Sequence, residues 1–251
     1  MKLTQFLLPI VLIICWQTAS LLQIVPTYKF PSPLQIIYGF KDLIVIGMPP
    51  GHHLQYHILY SLYRVFWGYI TAIILAIPLG ILLGWSNRLR LLLQPILELI
   101  RPIPPLAWIP IAILWFGIGI KSAAFIIFLG AFFPILLNTI SGVLSIEHIL
   151  IEAARTLHAS TKDIFFKILI PGSIPSILTG MRIGVGIGWM TLVAAEFTGV
   201  KQGYGLGYMI MTARDIHRPD EILAGMFLIG LIGFLIDIGL RLVERKLVQW
   251  K

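Results

Sequence analysis

Four stretches of this chain carry no charged residue over about the length a helix needs to cross the hydrocarbon of a bilayer, roughly 20 residues. They are Leu3 to Tyr28, Val65 to Asn87, Pro102 to Ile120 and Ser122 to Ile146. No other feature limits the fold as strongly. The hydrocarbon offers no water to solvate N–H and C=O groups, and a helix satisfies its backbone within the segment. Two further runs tolerate a few charges: about Ser176 to Phe197, which contains Arg182 and ends near Glu196, and about Ile222 to Val243, which contains Asp237 and Arg241. The sequence therefore predicts an all-α integral membrane protein with about six spans. A chain that is 58% hydrophobic and only 12% charged excludes a soluble globule of ordinary surface. Residues 1–251 leave no room for a second soluble domain of typical size. The first run follows Lys2 and outlasts a typical signal-peptide core with no A-x-A site after it, so it reads as a retained span. The lone Cys15 sits in that run and reads as a packing residue.

Six spans place both termini on one side of the membrane. With them fall Lys2, Arg88, Arg90, Arg101, Arg155, Lys162, Lys167, Arg182, Arg241, Arg245, Lys246 and Lys251, whereas Lys29, Lys41, Arg64, Lys121, Lys201, Arg214 and Arg218 fall opposite. The richer side is the cytoplasmic one by the positive-inside rule, which puts both termini inside. This asymmetry and anionic lipid headgroups account for the net charge of +8, so no nucleic-acid partner is needed.

Between the first two spans, Pro31-Ser32-Pro33 and Pro49-Pro50-Gly51 punctuate an outward linker, with a short surface helix near Leu34 to Ile46. His52, His53 and His57 invite a metal reading, but no cysteine or carboxylate joins them, and they read as solvated interfacial histidines with no metal. Glycines recur every fourth residue at Gly180, Gly184 and Gly188 and again at Gly80 and Gly84, which predicts faces where neighbouring helices approach closely. The segment Gly203 to Gly207 lacks the spacing of a dinucleotide fingerprint and reads as an outward loop. Likewise, Gly119 to Ser122 is no phosphate loop.

Pro102, Pro104, Pro105 and Pro110 crowd one run. Each internal proline removes a backbone hydrogen bond and clashes one turn back, so the helix must kink or unwind there. Two readings stay open: a kink used for packing, or a break bordering a translocation path at Pro102, Pro104 and Pro105. Glu98 and Arg101, three apart, are expected to pair with each other and not to form a substrate site. Arg182 and Asp237 are expected to pair or snorkel. Glu196, beside Gly199, is a candidate gate or loop anchor.

The polar stretch between the fourth and fifth spans carries the most specific signal. An apolar-periodic helix ends near Leu157, and Ser160-Thr161-Lys162-Asp163 reads as a capping box opening a second short helix that Pro171 ends. His158 falls at the corner, and histidine tolerates the left-handed conformation better than most side chains. The pair Ala153-Ala154 beside Glu152 predicts a smooth surface suited to a groove of another protein. Glu152-Ala153-Ala154, then His158, then Ile168-Leu169-Ile170-Pro171 resembles the E-A-A, G, I-x-L-P signature of the permease subunits of ATP-binding-cassette importers. Two residues depart from it: His158 stands for glycine and Ile170 for leucine.

The resemblance extends from the outer linker to Lys251. The strings from Glu98 to Gly119 and from Gly180 to Gly199 look like the nitrate, sulfonate, taurine and bicarbonate group, with taurine and alkanesulfonate permeases nearest. It implies a type I importer permease with its core at about 58–246 and a cytoplasmic coupling segment at 145–172. There Glu152, Ala153, Ala154, His158 and Pro171 would seat in an ATPase subunit. It also implies a second permease copy, an external solute-binding protein, and a bacterial or archaeal plasma membrane. ATP and Mg would be held by the ATPase and no cofactor by this chain, which would be no enzyme. The solute would be a sulfonate-like anion first, with nitrate, bicarbonate or a thiamine-precursor pyrimidine as alternatives. A secondary transporter or channel would share the hydropathy but needs no docking segment and usually shows paired repeats.

Overall fold

The computed structural model describes residues 4–24, 26–197 and 203–247, and side chains from Leu7 to Lys246 among them. No strand occurs among these residues. Helix α1 covers Thr4–Leu21, α2 Pro33–Val45, α3 Leu54–Trp85, α4 Asn87–Ile100, α5 Ile109–Phe116 and α6 Ile120–Leu144. Then come α7 at His148–Thr156, α8 at Thr161–Ile164, α9 at Ile170–Phe197, α10 at Leu206–Asp215 and α11 at Pro219–Leu247. Two compact units result, Met1–Leu62 with Glu196–Ile232, and Tyr63–Ala195 with Gly233–Lys251.

Among the described residues four helical stretches are long and apolar enough to cross a membrane: Leu54–Trp85, Ile120–Leu144, Thr161–Phe197 and Pro219–Lys246. A fifth arises if α4 and the stretch Pro105–Phe116, bent by 81°, are taken as one span. About six spans were expected, the third of them kinked, and the bent pair is that kink. The third run starts its helix late, because prolines bar regular helix at its beginning. The first run gives only a shorter apolar helix, Leu7–Leu21. Helix α1 ends in a left-handed turn at Gln23 (φ 54°), whose N–H reaches the Ser20 carbonyl while that of Ile24 reaches Ala19. That pairing is a Schellman cap, which satisfies the last carbonyls and stops the helix.

The surface helix expected near Leu34 to Ile46 is α2, opened by a reciprocal capping box between Ser32 and Gln35. Two helices were not legible as such. Helix α4 has no buried residue and fills the stretch between the second and third charge-free runs, for which no separate helix was predicted. Helix α10 begins at Leu206, inside the glycine-rich stretch expected to be loop.

In the second unit α6 is the hub, and glycines set how near its neighbours come. A Cβ on Gly80 would stand 2.6 Å from Thr139 Cβ, and one on Gly84 2.5 Å from Val143 Cβ. On α9, a Cβ on Gly180 would stand 2.7 Å from Asn138 Cβ, one on Gly184 2.9 Å from Ile135, and one on Gly188 3.2 Å from Ile127. The four-residue repeats thus face α6 from two helices, which is how helices pack where lipid removes the hydrophobic drive to associate. Around them Ala72, Ala76, Leu83, Ala131, Ile135 and Leu136 form a buried cluster, and Tyr69 ties α3 to α9 through the Met181 carbonyl (3.0 Å). The outer sides are greasy instead: Leu114 and Met190 are 81% and 76% exposed.

Candidate functional site

The polar segment is a helix, a corner and a second helix start. Helix α7 turns Ala154 inward, where it is buried with Val143, Ile164 and Leu169. Ala153 stays exposed. This corrects the expected Ala153-Ala154 surface: adjacent helical residues point about 100° apart, and the packing of α7 puts Ala154 in the core while Ala153 faces out. The outer surface is completed by exposed Ile149, Leu150 and Leu157, the last 82% exposed. Glu152 is exposed and lies 3.1 Å from His148 one turn earlier.

The corner is left-handed, as expected. His158 has φ 60°, its N–H reaches the Arg155 carbonyl at 2.9 Å, and that of Ala159 reaches Ala154 at 3.0 Å. This too is a Schellman cap, with histidine where glycine is usual. Ser160 then accepts from the Asp163 N–H, and Asp163 answers to the Ser160 N–H, the capping box read from sequence. The stretch Thr161–Phe197 is longer than the roughly 20 residues a span requires, and its first turns, which carry Lys162, Asp163 and Lys167, are the polar excess. There the Lys167 ammonium, and next the Ser160 hydroxyl, hold the Asp163 carboxyl below the usual carboxylate range.

Pro171 does not end the second helix. The backbone widens into a π-turn at Phe165–Leu169, with the Ile170 N–H bonded to the Phe165 carbonyl, and α9 follows without a gap. The wider turn makes room for a ring that would otherwise clash with the carbonyl four residues back, and proline near a helix start has no N–H to leave unpaired.

The proline run makes the expected break. Helix α4 stops at Ile100, a 3₁₀ turn spans Pro105–Trp108, and α5 follows. Pro104, forced out of the α region by the proline after it, takes φ −58° and ψ 138°. Against the break lies a cavity of about 460 Å³, bordered by Arg101, Pro105 and Trp108, by Phe133 and Asn138 of α6, and by Ile183 and Ile187 of α9. Of the three candidate prolines only Pro105 touches it; Pro102 and Pro104 shape the turn beside it. The expected Glu98–Arg101 pair is not formed, since Glu98 takes its hydrogen bond from Gln94 (2.7 Å). Sequence reasoning missed Arg101, Asn138 and Trp108 as cavity residues. The available signal was Asn138, a carboxamide in the middle of a charge-free span.

Glu196 is fully buried. Its carboxylate accepts the Ser61 hydroxyl at 2.8 Å and the Gly207 N–H at 2.8 Å, while Ser61 Oγ accepts the Leu206 N–H at 2.9 Å. Glu196 and Ser61 therefore hold the N-terminus of α10, where a negative charge meets unpaired N–H groups and the positive end of the dipole. Gly199, named beside it, lies outside the described residues. His57 corrects the expectation of solvated histidines: it is fully buried, with Nδ1 3.0 Å from the Gly205 N–H and Nε2 3.2 Å from the His52 carbonyl. His53 meets the Ile44 carbonyl at 3.2 Å.

Asp42, Asp220 and Glu221 bring three carboxylates within 4.8 Å of one another. The cation among them is Arg218, whose Nη2 lies 2.7 Å from Asp42, 2.8 Å from Asp220 and 2.9 Å from Glu221. It ties α2 to the start of α11. In the other unit, Arg182 meets Glu244 at 3.1 Å and approaches Asp237 at 3.9 Å, while Arg241 binds Asp237 at 2.7 Å, so the expected pairing of these charges holds.

Residues 76–249 match the sequence profile of the binding-protein-dependent transport system inner membrane component. The chain belongs to that family. The permease is 39% identical to the taurine transport system permease protein TauC of Escherichia coli over 96% of this chain and 86% of that one. It is 49% identical to a putative ABC transporter permease of Methanocaldococcus jannaschii over 76% of this chain and 71% of that one. With the nitrate import permease protein NrtB of Leptolyngbya laminosa it shares 36% identity over 82% of this chain and 74% of that one. Among solved structures, an inward-facing MetNI methionine ABC transporter superposes with TM-score 0.67 at 22% identity, covering 76% of this chain and 94% of that one. The permease thus has the type I importer permease fold that the signature implied. Permease subunits of this family are integral membrane proteins and not themselves enzymes.

Proposed function

We propose that this permease carries a small organic anion, a sulfonate of the taurine or alkanesulfonate kind, inward across the plasma membrane of a bacterial or archaeal cell. Transport is driven by ATP hydrolysis, with Mg, on a separate ATPase subunit, and the solute arrives on an external binding protein. Two copies of the permease form the pore, both termini face the cytoplasm, and this chain binds no cofactor. The relatives named for taurine and nitrate support the class of solute.

The observation that carries the ATP-coupled reading is the α7–α8 corner. It offers Ala153, Ile149, Leu150 and Leu157 outward on a short helix locked by the His158 turn and the Ser160 box. Such an apolar knob on a rigid frame fits a groove in a partner protein. Glu152 lies mid-helix beside Ala153 and His158 at the C-terminal corner, and Pro171 lies where the frame joins α9. When the ATPases close on nucleotide, the push passes through this frame into the spanning helices.

Ala153→Asp puts a charge into the docking groove, and an uncompensated buried charge costs about 3–5 kcal/mol. In reconstituted vesicles this variant and Glu152→Lys should insert normally yet lose ATP-driven, binding-protein-dependent uptake of taurine. Full uptake by both variants would refute the docking role. A ligand panel on the cognate binding protein tests the solute: a tight response only to neutral pyrimidines would refute the anion.

A further inference from the structure

The cavity behind the proline break has an uneven chemistry. Its apolar walls are Trp108, Phe133, Ile183 and Ile187, its polar groups are Arg101 and Asn138, and no carboxylate borders it. Arg101 forms no ion pair among the described residues, and Glu98 accepts instead from Gln94 Nε2 at 2.7 Å. Asn138 Nδ2 donates one hydrogen to the Pro134 carbonyl at 2.8 Å and keeps the other. The site therefore presents one guanidinium and one amide hydrogen against otherwise greasy walls.

We infer that this cavity is a solute station in the permease itself, taking an anion with a single charged head and a short apolar body, head to Arg101 and Asn138, body to Trp108 and Ile187. This rests on the anion reading above and deepens it, because it gives the membrane subunit a filter of its own beyond the binding protein. Three physical points support it. A guanidinium presents a fork of donors that matches the oxygens of a tetrahedral or planar oxyanion. Low-dielectric walls beside a lone cation strengthen its attraction for an anion and repel a second cation. A volume of about 460 Å³ lies within the usual range for small-ligand pockets, roughly 300–1,000 Å³.

The test reads charge selectivity inside the cavity without requiring transport. In the complete permease–ATPase complex, with Cys15→Ser and Phe133→Cys, the permease's one remaining thiol, read on the separated permease by mass, is modified by two methanethiosulfonates of similar size. One carries a sulfonate and the other a trimethylammonium, and each rate is normalised to that with a free thiol in solution. The anionic reagent should be favoured about tenfold. Arg101→Gln should remove most of that preference and Arg101→Lys should keep it, while butanesulfonate should protect the thiol only where residue 101 is charged. An equal preference in Arg101→Gln, or protection that ignores residue 101, overturns the inference. If Phe133→Cys fails to assemble, Ile187→Cys serves at the opposite wall. Uptake by the unmodified importer is measured in parallel. A charge-selective cavity without sulfonate uptake would refute the solute reading and leave the anion station standing. Sulfonate uptake with an unselective cavity would refute the station alone.

Discussion

Two glycines of α9, six residues apart, should respond to the same substitution with opposite sign. A Cβ at Gly180 would lie 2.7 Å from Asn138 Cβ, 3.1 Å from the Pro134 carbonyl oxygen and 3.2 Å from Ile135 Cα. Carbon atoms prefer about 3.5–4.0 Å, and two of these neighbours are α6 backbone, so helix α6 itself has to move away. Overpacking of this kind costs about 1–3 kcal/mol. Gly186 faces open space, with nothing within 4 Å of its Cβ position. There Gly→Ala brings only the helix gain, about 0.5–1 kcal/mol. Gly180→Ala receives the same gain and still loses. The two single variants should therefore differ by about 2 kcal/mol, or roughly 4–8 °C in apparent Tm for a chain of this size. Thermal unfolding of the detergent-solubilised permease, followed by tryptophan fluorescence at one fixed scan rate, measures the difference. Gly180→Ala melting at or above Gly186→Ala would show that the α6–α9 contact is looser than its glycines indicate, and the packing argument would fail.

His158→Gly should keep transport and melt at or above the parent, because the left-handed residue costs a side chain about 1–2 kcal/mol. His158→Val should melt lower than either; equal Tm values for valine and glycine would remove the strained-corner account. Ser61→Ala strips a donor from Glu196 and the acceptor of Leu206 N–H, a loss of about 1–3 kcal/mol. It should speed amide exchange at the start of α10, and unchanged exchange there would mean that the hydroxyl is replaceable. Replacing Pro104 and Pro105 together by alanine should favour a continuous helix and reduce taurine uptake more than it reduces assembly with the ATPase. Normal uptake would make these prolines packing devices only.

The sequence alone determined whatever depends on neighbours within one helical turn. Apolar length gave the long helices that begin at Leu54, Ile120, Thr161 and Pro219, the proline spacing gave the break, and the Ser160 box and the backbone tolerance of histidine gave the corner at His158. The glycine repeats gave the close-packed faces because a four-residue period is itself a statement about one side of a helix. Tertiary structure decided the rest. It turned Ala154 inward, bonded Ser61 to Glu196 across 135 positions, set Arg218 among the carboxylates of two helices, and lined one cavity with Arg101 and Asn138. It also carried the helix past Pro171, where local rules would have ended it. The physical reason is range: caps, turns and breaks are bonded between residues three to five apart, whereas burial, ion pairing and cavities depend on which distant segment packs opposite. A linear sequence of apolar helices leaves that choice open until small residues and buried polar groups select it.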